Sequence, residues 1–180
     1  MHVTVTDYDP RWAADFERIR ADLLAALDGV DVLAVEHVGS TAVPGLPAKP
    51  VIDVDVVVPE EALPAALDAV AGAGYAYEGE KGVEGRHAFR APDDGTARHV
   101  YVCVDGCVAL RNHLLVRDVL RADPSLRQAY ADVKAGLAAR DLPDMEAYVA
   151  GKNAVLQQIL AAAGLSPDEL DQVAGHNPTA

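Results

Sequence analysis

Two aspartates inside one strongly apolar segment constrain this chain more than any other feature. Residues 51–58 read Val-Ile-Asp-Val-Asp-Val-Val-Val, which is typical of a buried β-strand. Because successive side chains of a strand point to opposite faces, Asp53 and Asp55 share one face, about 7 Å apart. Two carboxylates placed in this way repel each other unless a cation lies between them. Mg²⁺ is the usual cation, since it takes oxygen ligands and is bound together with phosphates.

A Gly-Ser turn precedes this strand and is a second feature that suits a phosphorylated ligand. A strand predicted over residues 31–38 ends at Gly39 and Ser40. Such a turn offers free backbone N–H groups and a hydroxyl, which suit a phosphate group, although a plain strand-ending turn is the alternative. The loop that follows contains four residues that break helices, namely Pro44, Gly45, Pro47 and Pro50. This composition excludes a long helix and favours a shaped binding loop.

Charge and hydropathy indicate which classes of binding partner suit this chain. The chain has 180 residues and a formal net charge of −13, from 15 Lys and Arg against 28 Asp and Glu. Such an acidic chain is unsuited to non-specific binding of nucleic acid or anionic membrane, whereas a small anion in a locally basic pocket is compatible with it. No apolar run approaches the roughly 18–20 residues that span a bilayer, and residues 1–7 do not form a secretory signal. We therefore expect a cytoplasmic protein that binds a nucleotide or another small phosphorylated ligand; its oligomeric state is left open.

The hydrophobic spacing predicts an α+β fold, in which a mixed β-sheet with flanking helices is followed by a C-terminal helical half. Asp9 is the expected N-cap of a first helix with one apolar face, and Pro59 opens a second helix. Six strands are expected, over residues 31–38, 51–58, 75–78, 86–91, 97–104 and 107–110. The helical half covers residues 112–163, with breaks at 123–124 and 142–143 and a capping box at 166–169. We expect one domain over residues 1–175 and a flexible tail over 176–180.

The two cysteines flank a predicted hairpin turn. Asp105 and Gly106 are the preferred residue types for a two-residue hairpin loop. In that hairpin the thiols of Cys103 and Cys107 would lie on opposite faces of the ribbon, which excludes a disulfide or a shared metal. Two buried, inert thiols are expected.

A longer segment of the sequence resembles a known family. Residues 36–53 read Glu-His-Val-Gly-Ser-Thr-Ala-Val-Pro-Gly-Leu-Pro-Ala-Lys-Pro-Val-Ile-Asp, which resembles the hallmark segment of the GrpB (UPF0157) proteins. Residues 9–12, 115–121, 130 and 134, and 148 and 152 extend the resemblance over most of the chain. This family is related to the nucleotidyltransferase superfamily, whose signature is Gly-Gly or Gly-Ser, a spacer and Asp-x-Asp. The resemblance implies a nucleotidyltransferase-like fold with catalytic Asp53 and Asp55 binding Mg²⁺ or Mn²⁺.

The same resemblance implies roles for further residues. In the superfamily a third carboxylate on a neighbouring strand completes a two-metal site, but the candidate strand 97–104 contains no acid. His99 is the expected metal ligand or phosphate contact in its place, and Arg86, Arg90 and Arg98 are candidates for the same cleft. The expected nucleotide- and phosphate-binding residues are Gly39, Ser40, Lys49, Arg117, Arg121, Lys134, Tyr148 and Lys152. For each basic residue, a surface salt bridge with one of the many acids is the alternative.

The leading functional hypothesis is a metal-dependent nucleotidyltransferase, which transfers a nucleoside monophosphate from a triphosphate to an unknown acceptor. A non-catalytic module that binds a nucleotide or a coenzyme-A precursor is the alternative, because the third carboxylate is missing and some family members are fused to dephospho-CoA kinase. Hydrolysis of a phosphoester at the same metal site is a third possibility. The sequence contains no Gly-x-Gly-x-x-Gly fingerprint, Walker loop or His-Glu-x-x-His motif, which excludes the corresponding dinucleotide, P-loop and zinc-protease sites.

Overall fold

A computed structural model describes residues 4–140, 143–166 and 170, and it confirms the expected α+β fold. The sheet consists of β1 (Ala34–Val38), β2 (Ile52–Val58), β3 (Ala76–Gly79), β4 (Arg86–Arg90) and β5 (Arg98–Val104). The helices are α1 (Arg11–Ala26), α2 (Leu63–Gly72), α3 (Val108–Ala122), α4 (Pro124–Ala138), α5 (Met145–Ala150) and α6 (Asn153–Ala162). Short 3₁₀ turns, Ser40–Ala42 and Glu60–Ala62, follow β1 and β2.

The sheet is mixed, with the strand order β1-β2-β5-β4-β3. β2 and β5 are parallel, and the other neighbouring pairs are antiparallel. The register places Asp53 opposite His99 and Asp55 opposite Tyr101. Across the other edge of β2, Glu36 lies opposite Asp55. Because paired residues share a face, the polar side chains of β1, β2 and β5 at these positions lie on one side of the sheet.

The opposite face of the sheet is apolar and is covered by α1 and α2. Val54, Val56 and Val58 of β2 are buried there together with Val100 and Val102 of β5. The helices contribute Trp12, Phe16, Ile19, Leu23, Ala66 and Val70 to this core. α1 begins at Arg11, so Pro10 occupies the N-cap position that was predicted for Asp9; the Asp9 carboxylate still accepts a hydrogen bond of 2.9 Å from the backbone N–H of Arg11. Burial of this one face leaves the aspartate-bearing face free to form a site.

The predicted strand over residues 107–110 is wrong, because this segment begins α3. Cys107 has extended backbone angles and serves as the N-cap, and the helix continues from Val108 to Ala122. The run Cys-Val-Ala-Leu is too short for its hydrophobic pattern to distinguish a strand from a buried helix end. Leu110 packs against Val57 and Cys103, so the apolar residues are buried as expected but on a helix.

Because residue 107 precedes a helix and not a second hairpin strand, the predicted arrangement of the two thiols is also wrong. Cys103 and Cys107 are not on opposite faces of a ribbon: their thiols form a hydrogen bond with each other. Both cysteines are free, and Cys103 is fully buried whereas Cys107 is partly exposed. The pKa of Cys103 is well above its usual value, chiefly because of this bond, and the same bond lowers the pKa of Cys107 to about 7. Cys107 is therefore not the fully buried thiol that was expected.

The helical half has the predicted break at 123–124 and one that was not predicted, between α5 and α6. Asp123 caps α4, its carboxylate accepting the backbone N–H groups of Ser125 and Leu126, and Pro124 occupies the first turn. The second expected break includes Leu142, and the expected capping box at 166–169 and tail at 176–180 also extend outside the described residues. None of the helices in the described part of the chain is both long and apolar enough to cross a membrane.

Candidate functional site

A cleft of about 310 Å³ lies on the polar face of the sheet. Its floor comes from β2 and β5, and the turn after β1, the β3–β4 hairpin and the helical half supply its walls. The polar and aromatic residues lining it include Ser40, Thr41, Lys49, Asp53, Glu78, Lys81, Arg86, His99, Tyr101, Lys134, Tyr148 and Lys152. The structure thus brings together Ser40, Lys49, Asp53, His99, Lys134, Tyr148 and Lys152, all of which were expected in one site.

The turn after β1 approaches Asp53 very closely. Gly39 has φ 71° and ψ −171°, a conformation that is essentially restricted to glycine. A Cβ atom on Gly39 would lie only 2.1 Å from Oδ2 of Asp53. The absence of a side chain at Gly39 therefore lets the turn pack against the carboxylate and places Ser40 at the cleft. Ser40 also forms a hydrogen bond with Tyr130 of α4, a buried residue whose pKa is raised to about 12 by burial.

The two aspartates have different surroundings although they share a strand face. The side chain of Asp53 is 29% exposed in the cleft, and its Oδ1 lies 2.9 Å from Nδ1 of His99. Asp55 is fully buried, and its Oδ2 lies 2.7 Å from Nδ1 of His113 on α3. Burial acts to lower the pKa of His113, but the charge of Asp55 and their hydrogen bond outweigh it, so this pKa is raised. The Asp53 carboxylate is thus exposed to the cleft, whereas the Asp55 carboxylate is buried and bonded to α3.

The chemistry of the donors fits a magnesium ion, although the expected set of three ligands is not formed. His99 is bonded to Asp53, and among the described residues no group of three or more His, Cys, Asp or Glu side chains could hold a metal. Two carboxylates nevertheless face the same side of the sheet, and Oδ1 of Asp55 is buried without a hydrogen-bond partner. Mg²⁺ is commonly bound through one or two carboxylates together with substrate phosphates. Asp53 and Asp55 would therefore suffice for an ion that arrives with a phosphorylated ligand.

Two lysines of the helical half, Lys134, which is buried, and Lys152, which is half-buried, form the cationic wall of the cleft. Lys134 is only 3% exposed, and its Nζ donates a hydrogen bond of 2.7 Å to the carbonyl of Pro47. Burial and then the neighbouring Lys152 lower the pKa of Lys134 to about 7. Burial also lowers the pKa of Lys152, whose Nζ lies 4.6 Å from the centre of the Tyr148 ring. α5 ends before Lys152, yet the expected contact between this ammonium and Tyr148 is present.

Arg117 and Arg121 do not line the cleft, which corrects their expected placement at the phosphate site. Arg117 forms ion pairs of 2.6 Å with Glu36 and 2.7 Å with Asp118. Arg121 donates two hydrogen bonds, of 2.9 and 2.7 Å, to the carbonyl oxygen of Ala42. Both arginines do share a face of α3, but that face packs against β1 and the turn that follows it. Their contacts hold α3 against β1 and the following turn, outside the cleft.

Three residues at the site were not identified in the sequence as functional candidates: Tyr101, His113 and Tyr130. Tyr101 and Asp55 are register partners, a relationship that requires the pairing of β2 with β5. His113 precedes Arg117 by four residues and therefore shares its helix face, which was a usable signal. Tyr130 was noted beside Lys134, and its ring centre lies 5.3 Å from Nζ of that lysine. The missing information was which helix covers which strand.

Comparison with known proteins identifies relatives along almost the whole chain. The family model described as GrpB protein matches residues 2–162. A UPF0157 protein of Streptomyces coelicolor is 40% identical over 165 residues, which cover 91% of this chain and 86% of that protein. A dephospho-CoA kinase of Mycolicibacterium paratuberculosis is 33% identical over 172 residues, which cover 80% of this chain and 42% of the kinase. The resemblance found in the sequence is thereby confirmed.

Solved structures support the same fold. The crystal structure of the conserved protein GrpB from Enterococcus faecalis matches with a TM-score of 0.78 and 34% identity, covering 89% of this chain and 96% of that one. The Cid1 poly(U) polymerase, in a crystal structure with Mg and 3′-dATP bound, matches with a TM-score of 0.53 and 11% identity. That match covers 83% of this chain and 50% of the polymerase. At this identity the likeness concerns the fold, which is that of the nucleotidyltransferases.

Proposed function

Because the chain belongs to the GrpB family and has a nucleotidyltransferase-like fold, we propose that it binds a nucleoside triphosphate in the cleft and transfers the nucleoside monophosphate to a small acceptor. The observation that carries this proposal is the pair of lysines beside Asp53, of which Lys134 is buried and Lys152 is half-buried. In the Cid1 structure the bound ligands are a nucleotide and magnesium, which suits a proposal of the same ligand class here.

The lysine pair is suited to binding an anion. Among the described residues, no acidic side chain lies within ion-pair distance of either ammonium group, although the chain has 28 acids. Burial of a cation without a counter-charge is costly, and this cost is expressed in the lowered pKa values of Lys134 and Lys152. A phosphate between them would stabilise both charged forms. The hydroxyl of Ser40 and the backbone of its turn would add hydrogen bonds to the same group.

The other residues of the cleft suit the transfer step. Asp53 and Asp55 would hold Mg²⁺, which would neutralise part of the charge of the triphosphate when bound. The acceptor hydroxyl oxygen would form a bond to the α-phosphorus, and the bond from that phosphorus to the bridging oxygen would break, releasing pyrophosphate. If Nδ1–H of His99 donates to Asp53, Nε2 is the acceptor that takes the proton of the hydroxyl. The carboxylate would then orient the imidazole for this role.

A second candidate function is binding without turnover. Asp55 is completely buried and bonded to His113, and the residue opposite it on β5 is Tyr101 instead of a third carboxylate. This arrangement favours a protein that binds a nucleotide or a coenzyme-A precursor without converting it. The kinase relative, of which this chain matches less than half, makes a coenzyme-A precursor a reasonable ligand to include in tests.

Thermal unfolding and calorimetric titration test the binding step. ATP, GTP, CTP, UTP and dephospho-coenzyme A would be compared with and without Mg²⁺ or Mn²⁺, on the wild type, Asp53→Asn and Lys152→Met. A ligand at about 100 times its Kd stabilises the folded protein by about 2.7 kcal/mol, which raises Tm by several degrees. We expect a metal-dependent shift that both variants lose and that Arg20→Gln, which removes an exposed charge from α1, retains. No shift with any triphosphate would overturn the proposal.

Turnover separates the two candidate functions. With a triphosphate that binds, release of pyrophosphate that depends on an added acceptor and is abolished in Asp53→Asn supports transfer. Binding that persists without release of pyrophosphate or phosphate supports the binding module. Phosphate or pyrophosphate release without an acceptor would indicate hydrolysis at the same site.

A further inference from the structure

Arg86 is a buried cation in the wall of the cleft, and no acidic side chain of the described residues forms an ion pair with it. It begins β4, lines the cleft and is only 8% exposed. Its Nε atom is buried without a hydrogen-bond partner. Its guanidinium carbon lies 4.8 Å from the centre of the Tyr101 ring, an attractive contact that uses none of its N–H donors, and its side chain makes no hydrogen bond with the described residues. A buried arginine with an unpaired N–H donor is suited to binding an anion.

The neighbouring strand arginines have a different environment. Arg98 lies 2.7 Å from Asp93 and also donates a hydrogen bond of 2.8 Å to Tyr75. Arg90 is exposed and lies 3.4 Å from Glu78. Acidic partners are thus plentiful in this part of the chain, and Arg86 has none among the described residues. A planar guanidinium with free donors is suited to a carboxylate or a phosphate, which it binds through two parallel hydrogen bonds.

The position of Arg86 separates it from the two lysines. In the strand order β2-β5-β4, Arg86 lies two strands away from Asp53, and the guanidinium is near Tyr101 on the intervening strand. Lys134 and Lys152 approach from the helical half and lie near each other and near Asp53. Arg86 and the two lysines therefore reach the cleft from different elements, Arg86 from β4 and the lysines from the helical half.

We infer that Arg86 forms a second anion subsite, which binds a carboxylate or phosphate group of the acceptor. This inference rests on the proposed function, in which the triphosphate occupies the lysine wall. It names the class of the second substrate: a small molecule that carries both a nucleophilic hydroxyl and an anionic group. The anionic group would lie against Arg86, and the hydroxyl would be directed toward His99 and Asp53.

The test is a titration of wild-type protein already saturated with the triphosphate that binds it. Inorganic phosphate and malonate serve as separate probes, and the side-chain Nε–H signal of Arg86 is followed by ¹⁵N NMR after its assignment from Arg86→Gln. We expect at least one probe to shift this signal, and Arg86→Gln to weaken anion binding at least tenfold while triphosphate affinity changes less than twofold. The tighter of the two probes identifies the group as phosphate or carboxylate.

Two matched variants make the test specific. Arg90→Gln removes a charge of the same sign from the same strand and should leave anion binding unchanged. Arg86→Lys retains the charge but not the planar pair of donors, and we expect weakened binding in a folded protein. The inference is overturned if neither probe shifts the Arg86 signal, if Arg90→Gln weakens the anion equally, or if Arg86→Gln weakens the triphosphate as much as the anion.

Failure of the proposed function gives a different result. If the wild type binds no triphosphate, the same titration is performed on Lys152→Met without nucleotide, so that the lysine wall is disabled. A shift of the Arg86 signal in that variant supports the anion subsite independently of the nucleotide. No shift there overturns the subsite as well.

Discussion

Gly39 and Asp53 are in such close contact that the turn after β1 can adopt its observed position only if residue 39 has no side chain. The missing Cβ would lie 2.1 Å from Oδ2 of the aspartate and 2.9 Å from its carboxyl carbon. The backbone angles of Gly39 independently require glycine. This contact joins the two sequence features that predicted the site, and it makes the position of Ser40 depend on that of Asp53.

Gly39→Ala should therefore affect both stability and ligand binding. The backbone strain is expected to lower the free energy of unfolding by about 1–3 kcal/mol. The Cβ would also displace the Asp53 carboxylate, so triphosphate affinity should fall beyond what the loss of stability explains. Chemical denaturation and calorimetric titration measure the two effects. Gly29→Ala is the matched control, because Gly29 has φ 79° but no atom within 4 Å of the added Cβ; equal affinity losses would contradict the prediction.

A second prediction concerns the buried pair of Asp55 and His113. His113→Ala would leave a fully buried carboxylate without its partner, and we expect the free energy of unfolding to fall by about 3 kcal/mol. Asp55→Asn combined with His113→Ala should be less destabilised than the sum of the single variants, since no buried charge remains. Urea denaturation of all four proteins measures this coupling. Additive losses would show that the hydrogen bond contributes little.

The residues that could be predicted from the sequence are those whose position depends on local pattern. Asp53 and Asp55 were placed on one face by strand periodicity, and Asp123 with Pro124 predicted a break in the helical half, which lies between α3 and α4. The turn at Gly39 and Ser40 was placed next to Asp53 because the two segments read as consecutive strands. These relationships involve neighbours in the chain or in adjacent strands.

The residues that could not be predicted are those placed by packing between distant segments. Arg117 and Arg121 have the composition of a phosphate site, but α3 lies over β1, so both arginines bind the protein itself. His113 meets Asp55 across 58 positions of sequence, which periodicity does not reveal. The turn at Asp105 and Gly106 has hairpin chemistry yet leads into α3, because burial of Leu110 is possible on either element.

The corrected role of Arg117 leads to a third prediction. Arg117→Ala removes the ion pair with Glu36 and a hydrogen bond to the carbonyl of His37, and the Arg117 side chain is only 12% exposed. We expect a loss of about 1–3 kcal/mol in unfolding free energy, with triphosphate affinity of the folded protein changed less than threefold. Lys152→Met should show the opposite pattern. A large loss of affinity in Arg117→Ala without destabilisation would return this arginine to the ligand site.

A fourth prediction concerns Cys107. The hydrogen bond from the Cys103 thiol lowers the pKa of Cys107 to about 7, and this residue is partly exposed. Because the thiolate is the reactive form, iodoacetamide should modify one thiol per native chain, at a rate that rises with a midpoint near pH 7. Cys103 should react only after denaturation. Peptide mass spectrometry identifies the site, and Cys103→Ala, which removes the donor, should raise the midpoint; modification of Cys103 first would contradict the assignment.

The last prediction is a pH dependence that originates in Lys134. Its pKa is about 7 in the folded protein and near 10.5 in the unfolded chain. Between these values the unfolded chain binds more protons, so the cost of burying the ammonium is complete below pH 7 and is relieved as pH rises toward 10. A bound triphosphate favours the charged form. Triphosphate affinity should therefore fall as pH rises through 7, by up to roughly tenfold per pH unit.

The groups that face Lys134 allow this effect to be isolated. Lys152 adds a second positive charge, Asp53 a negative one, and Tyr130, whose pKa is about 12, remains neutral throughout. Calorimetric titration between about pH 6 and pH 8.5 would compare the wild type with Lys134→Met and Lys152→Met. Ionisation of the triphosphate itself contributes equally to the pH slopes of all three proteins. Lys134→Met should bind more weakly and lose most of the pH slope, whereas Lys152→Met should retain the part due to Lys134. Identical slopes in the wild type and Lys134→Met would show that this lysine does not contact the phosphates.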